Sequence, residues 1–270
     1  KRLEVIMDEE IFNEHVLSME LNGYTILPDV FTADECDEAQ LKLEELDTAG
    51  IPLECLFNKA NVFERIYKVP HLLRYLRYFL GDDACLSGAY GSIRRVGEGD
   101  AGLHADGAIT GHNKSESMAK GDNGIRITSH ILGLNVIICI SDFALNNGST
   151  HIVPGSFRYP SLEIPKTAFD AKMTVQARRG SAIVFNINTW HGPSANNSDS
   201  TRYALLTPWR RSWLRSEYDL ASIVKREVFE RAGSEGCKIF GVSSRIPYLE
   251  GWQWDRAQGK PKSEWSHLQR

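Results

Sequence analysis

The sequence has no Cys-x-x-Cys pair. Its five cysteines, Cys36, Cys55, Cys85, Cys139 and Cys237, are scattered and odd in number. That argues against a disulfide framework and against a zinc–thiolate site, and makes a reducing, cytoplasmic setting the expectation. No apolar run reaches the ~18 residues of a membrane span. The best candidate, Ile131–Ile140, is broken by Gly133 and Asn135. An excess of one charge is missing too: 31 basic residues face 35 acidic ones, a net charge of −4, with no basic stripe. Nucleic acid and membranes are therefore not the expected partners. No secretory signal opens the chain, although it begins at Lys1 without a methionine and an upstream segment could have been removed. Repeats, low-complexity runs and flexible linkers are absent, so one domain over residues 1–270 is expected.

What is present divides into three stretches. Residues 1–81 read as mostly helical. Thr32-Ala33-Asp34-Glu35 is a capping box opening a helix to about Leu46. Gly23–Pro28 before it reads as a short strand. Pro70 opens a second helix, with Leu72, Leu73, Leu76, Phe79 and Leu80 at helical spacing, and Gly81 ends it. Residues 82–210 alternate short β-branched or aromatic runs with turns. Ala89–Val96, Leu134–Ile140, Ser181–Phe185 and Tyr203–Leu206 are the expected strands, and Asn146-Asn147-Gly148 a tight turn. Residues 211–270 carry one more helix, roughly Glu217 to Ala232, and an aromatic tail with Trp252, Trp254 and Trp265.

The chemistry sits in two places. His104 and Asp106 are separated by one residue, and on a strand such residues face the same side. An imidazole and a carboxylate then aim at one point. Trp190-His191-Gly192 supplies a second imidazole. Two histidines and one carboxylate on one face of a metal form the facial triad of non-haem Fe(II) oxygenases, which leaves coordination positions open. Singly, each has a plainer reading: an Asp-Gly turn, a half-buried strand histidine, a histidine stacked on Trp190. Arg202, eleven residues after His191, adds a rigid fork able to grip a carboxylate, though a lone strand arginine is usually a surface residue.

These residues have company. They include Gly23-Tyr24, the Thr32–Glu35 helix start, Asn147-Gly148-Ser149-Thr150 running on to Pro154-Gly155-Ser156, Gly180–Phe185, Asn196 and Ser198. Together they resemble the phytanoyl-CoA dioxygenase family of Fe(II)- and 2-oxoglutarate-dependent oxygenases, over residues 23 to 210. One departure is Phe157, where the family often has a histidine after Pro-Gly-Ser. That position is not a metal ligand. The resemblance implies a mainly β fold with flanking helices, its core a double-stranded β-helix (a cupin-like jelly roll) over residues 82–210. It implies that His104, Asp106 and His191 hold Fe(II). It also implies that 2-oxoglutarate fills two open positions with its far carboxylate on Arg202, and that O2 takes the last. Succinate and CO2 would be released as a small-molecule substrate undergoes hydroxylation or a related C–H oxidation.

Further pocket candidates are Asn135, Thr150 and Ser198. Asn135 is polar within an apolar strand and needs a partner, whether 2-oxoglutarate, the substrate or a strand-end group. Thr150 and Ser198 are placed to reach cosubstrate oxygens, with a turn cap the alternative for Ser198. Arg94 and Arg95 alternate, so one of them points inward. The polar segment Gly107–His130 reads as a lid carrying Lys114 and Lys120. Asp106 argues against a halogenase, in which a small residue replaces the carboxylate. A cupin-like isomerase and an inactive small-molecule binding protein are the competing readings. Without a basic cluster for the CoA phosphates, specialised or antibiotic-like metabolism is favoured over fatty acyl-CoA. The sequence carries no mark of oligomeric state.

Overall fold

The computed structural model describes residues 7–106, 128–159 and 163–242, with two short strands at 254–255 and 260–261. Three helices lead. In α1 (Glu9–Asn22), the Asp8 carboxylate accepts from Glu10 N, and Gly23 ends the helix at φ 79°, a left-handed conformation glycine adopts freely. In α2 (Ala33–Thr48) the expected capping box is complete: Glu35 N donates to Thr32 Oγ1 at 3.3 Å and Thr32 N donates to Glu35 Oε2 at 2.9 Å. α3 (Pro70–Leu80) has proline at its first position and buries Leu72, Tyr75, Leu76, Phe79 and Leu80.

The β part has two facing sheets. The larger holds β1 (Tyr24–Leu27), β2 (Cys85–Leu86), β3 (Tyr90–Arg94), β4 (Gly133–Cys139), β7 (Ala182–Asn186) and β9 (Arg202–Arg210). Its order is β1-β7-β4-β9-β2, with β3 also paired to β9. The smaller has the order β6-β5-β8, from β5 (Thr150–Ile152), β6 (Met173–Thr174) and β8 (His191–Pro193). All named pairs are antiparallel. β10 (Trp254–Asp255) and β11 (Lys260–Pro261) form a separate hairpin.

β4 is buried on both faces. Leu134, Val136 and Ile138 join the helical core with Leu43, Leu76 and Trp209, while Ile137 and Cys139 face Ile183, Phe185 and Ala204 inside the barrel. The period of two therefore sends Asn135 to the interior with Ile137. Two expectations change. β9 extends four residues past Leu206, through Pro208. Pro208 stands where the outer neighbour switches from β3 to β2, so its missing N–H interrupts no continuous ladder, and its carbonyl accepts from Ser87 N at 2.7 Å. The single helix expected over 217–232 is instead α4 (Leu220–Ile223) and α5 (Arg226–Ile239). Asn58 stabilises the break between them: its Nδ2 donates to Ile223 O at 2.7 Å and its Oδ1 accepts from Lys225 N at 2.8 Å.

Candidate metal centre

A backbone pairing builds the centre. His104 N donates to His191 O and His191 N donates to His104 O, both at 2.9 Å. This sets the imidazoles side by side, ring centres 4.3 Å apart. The strand expected at His104 and Asp106 is reduced to one bridge residue and a bend. Asp106 is placed by its own N–H, which donates to Ile187 O at 3.0 Å. The ties lead to the start of β8 and to the turn just after β7, so the side chains still converge.

His104 Nε2 lies 3.5 Å from Asp106 Oδ1, and His191 Nε2 lies 3.4 Å from Asp106 Oδ2. One ligand atom from each of the three residues falls within 4.8 Å of the others. Adjacent ligands on one ion with bonds of ~2.1 Å stand ~3 Å apart, so a small closure seats an ion. His191 Nδ1 donates to Thr189 O at 2.9 Å, which leaves the Nε2 lone pair facing the carboxylate. Burial works to raise the Asp106 carboxyl, but His191, His104 and Asn135 hold it down at about 2. It is ionised at neutral pH, as a ligand must be. Two imidazoles, one carboxylate and open positions suit Fe(II).

Across a cavity of about 290 Å3 stands Arg202, on β9. It is buried, and its Nε and Nη2 donate to Gly148 O at 3.1 and 2.9 Å. Gly148 is the glycine of the expected turn. Its φ is 77°, and a Cβ there would collide with the Arg94 side chain. Nη1 lies 3.5 Å from Ser92 Oγ. Among the described residues no carboxylate is within ion-pair distance of Arg202. Burial lowers its pKa to about 10, so it stays protonated at neutral pH. A buried cation facing a cavity without its own anion is a place for a ligand carboxylate.

The other expected residues divide. Asn135 and Thr150 line the cavity. Asn135 is turned to Asp106, its Nδ2 donating to Oδ2 at 2.5 Å. Ser198 is not among the lining residues: its hydroxyl donates to Asn196 Oδ1 at 2.7 Å and closes a turn, so the cosubstrate contact expected of it is not part of this geometry. Neither strand arginine reaches the cavity. Arg94 binds Glu98 at 2.9 Å and Ser194 O at 3.1 Å, and Arg95 pairs with Asp47 on the outside. Lys114, Lys120 and residues 107–127 of the expected lid lie outside the described residues. Sequence reading missed Tyr90, Ser92 and Arg210. Arg210 had a signal, since even spacing from Arg202 along one strand puts both on one face.

A family model for phytanoyl-CoA dioxygenase matches residues 53–204. Dioxygenase af480 of Aspergillus fumigatus is 26% identical over 206 residues, covering 68% of this chain. This chain spans 62% of that relative's length, less than two thirds. HygX of Streptomyces hygroscopicus, solved with nickel and 2-oxoglutarate, superposes with a TM-score of 0.59 at 18% identity, over 75% of this chain and 88% of its own. The epimerase SnoN, solved with Fe3+, alpha-ketoglutarate and nogalamycin RO, gives 0.61 at 16% identity, over 78% and 88%. These two likenesses show the fold, a double-stranded β-helix. The family match runs over more than half of the chain and takes in His104, Asp106, His191 and Arg202; this protein belongs to the phytanoyl-CoA dioxygenase family.

Proposed function

We propose that this chain is an Fe(II)- and 2-oxoglutarate-dependent oxygenase acting on a C–H bond of a small molecule, as a single domain. The observation that carries the reading is the pairing of two features across one cavity. His104, Asp106 and His191 present three ligand atoms to one point, and the buried Arg202 faces the same space with no anionic partner among the described residues. The three ligands would hold Fe(II), which together with 2-oxoglutarate supplies oxidising power from O2. Arg202 would fix the far carboxylate of 2-oxoglutarate and so orient its other end toward the metal ligands. Thr150 and Ser92 line the wall between. Phe185, Ile137 and Leu206 keep that wall apolar and limit water.

The substrate is a small molecule of specialised metabolism rather than an acyl-CoA. HygX of Streptomyces hygroscopicus and SnoN from nogalamycin biosynthesis share this fold, and the described cavity wall has no cluster of cations for the CoA phosphates. That SnoN is an epimerase on this fold extends the reading to C–H abstraction followed by inversion rather than hydroxylation. Anaerobic addition of Fe(II) and 2-oxoglutarate tests the core of the proposal. A visible metal-to-ligand charge-transfer band is expected, and it should vanish in His104→Ala, Asp106→Ala and His191→Ala. Normal iron binding in two of these three variants would overturn the ligand assignment.

A further inference from the structure

Asn135 stands beside Asp106 inside the barrel, and its neighbours settle which way the amide points. Arg210 Nη1 lies 3.4 Å from Asn135 Oδ1. A guanidinium only donates, so the amide oxygen faces it. The amide nitrogen then faces Asp106 Oδ2, which only accepts. Arg210 is itself fixed. It is buried, donates to Trp209 O at 3.1 Å and pairs with Glu217 Oε1 at 2.7 Å. Glu217 accepts a further bond from the Tyr90 hydroxyl at 3.2 Å, and its N–H donates to Ser87 Oγ at 2.8 Å. Gly133 faces Arg210 in the β4–β9 register and makes the room. A Cβ there would stand 2.8 Å from Arg210 Cδ and 3.0 Å from Nη1.

We infer that Arg210, acting through the Asn135 amide, positions Asp106 for a divalent metal; both are positioning residues, not ligands. The inference rests on the metal-centre reading above. The hydrogen-bond polarity runs one way, from Arg210 to Asn135 to Asp106. The amide engages Oδ2, and the carboxylate offers Oδ1 beside His104. Without Arg210 the amide keeps its nitrogen toward the carboxylate but loses the anchor on its oxygen that fixes where that nitrogen stands. Partners that orient metal ligands are worth ~10–100-fold in metal affinity.

The test is a Co(II) titration of metal-free protein, read by visible ligand-field absorption, with unfolding midpoints measured on the same metal-free samples. Arg210→Lys keeps the charge but loses the fork that reaches Asn135 and Glu217 together. Arg210→Met removes both, and Asn135→Ala removes the relay. Each is expected to weaken Co(II) binding by roughly 10–100-fold. The Arg210→Lys/Asn135→Ala double variant should bind no more weakly than Asn135→Ala alone, because one relay is lost once. A purely structural arginine would lower stability and give losses that multiply. Unchanged Co(II) affinity in the Arg210 variants, or multiplying losses, would overturn the inference and leave the metal centre standing. If Arg210→Met does not fold, Arg210→Lys and the double variant decide. Wild-type protein that fails to bind Co(II) would instead overturn the metal-centre reading and the inference with it.

Discussion

Arg202 illustrates what one residue can reveal through what it lacks. An arginine taken out of water without a carboxylate partner is costly, and two bonds to a single carbonyl do not offset the loss of hydration. Binding a carboxylate relieves that cost. Removing one partner of a buried charge pair costs about 2–5 kcal/mol. Arg202→Ala is therefore expected to raise the KM for 2-oxoglutarate by roughly 30-fold or more, while that for the prime substrate changes little. Succinate formation at varied 2-oxoglutarate measures this, and an unchanged KM would remove Arg202 from the cosubstrate site. Arg202, like the triad, was legible because its chemistry repeats a spacing: one residue between two ligands, eleven from histidine to arginine. Glu217 was not, and Arg210 only in part: even spacing from Arg202 gives its face, but nothing in a sequence says that an arginine at a strand's end will meet an asparagine on the neighbouring strand.

Among the elements, the helices were easier to read than the strands. Capping and 3.6-residue periodicity are local, so α2 and α3 stand where Thr32 and Pro70 place them. Leu76→Ala in α3 is expected to cost about 2–5 kcal/mol, as the side chain is fully buried and leaves a cavity; urea unfolding checks this. The strands β5, β6 and β8 were not legible. Two or three residues carry no period, and their pairing is set by distant partners. The split between α4 and α5 depends likewise on Asn58, far away in sequence. A buried acid ties α5 down. Glu64, 2% exposed, accepts from Lys68 at 2.8 Å and from Arg231 at 2.8 Å. Burial tends to raise its pKa, but Arg231, Lys68 and Tyr67 bring it below the usual value. A depressed acid contributes stability above its unfolded pKa and loses it as pH falls through the folded one. Arg231→Met strands the carboxylate and raises its folded pKa, so the variant should lose most stability at pH 7 and its deficit should shrink as pH falls and Glu64 takes up a proton. Glu64→Gln should flatten the acid dependence and cost less at pH 7, because Lys68 and Arg231 return to water. Denaturant midpoints between pH 3 and 7 decide, and a smaller loss in Arg231→Met than in Glu64→Gln would refute the account.

For the whole molecule, the barrel brings side chains from both sheets and from the segment before residue 107 to one cavity. No helix among the described residues is long and apolar enough to cross a membrane. If 2-oxoglutarate needs the metal as well as Arg202, it should raise the melting temperature only when a divalent metal is present. Stabilisation of about 2.7 kcal/mol is expected at a ligand concentration one hundred times its Kd. A full shift without metal would separate the two sites. One cooperative transition is expected, with β1 melting together with the sheet it joins beside β7.

The mutual backbone bonds of His104 and His191 close residues 105–190 into one long loop at the point where an ion would sit. An ion shared by both side chains is then a removable cross-link at the neck of that loop. Closing a long loop restricts the disordered chain more than closing a short one. Iron would thus govern the lifetime of the folded protein as well as its catalysis. Chelation should shorten its survival under a protease.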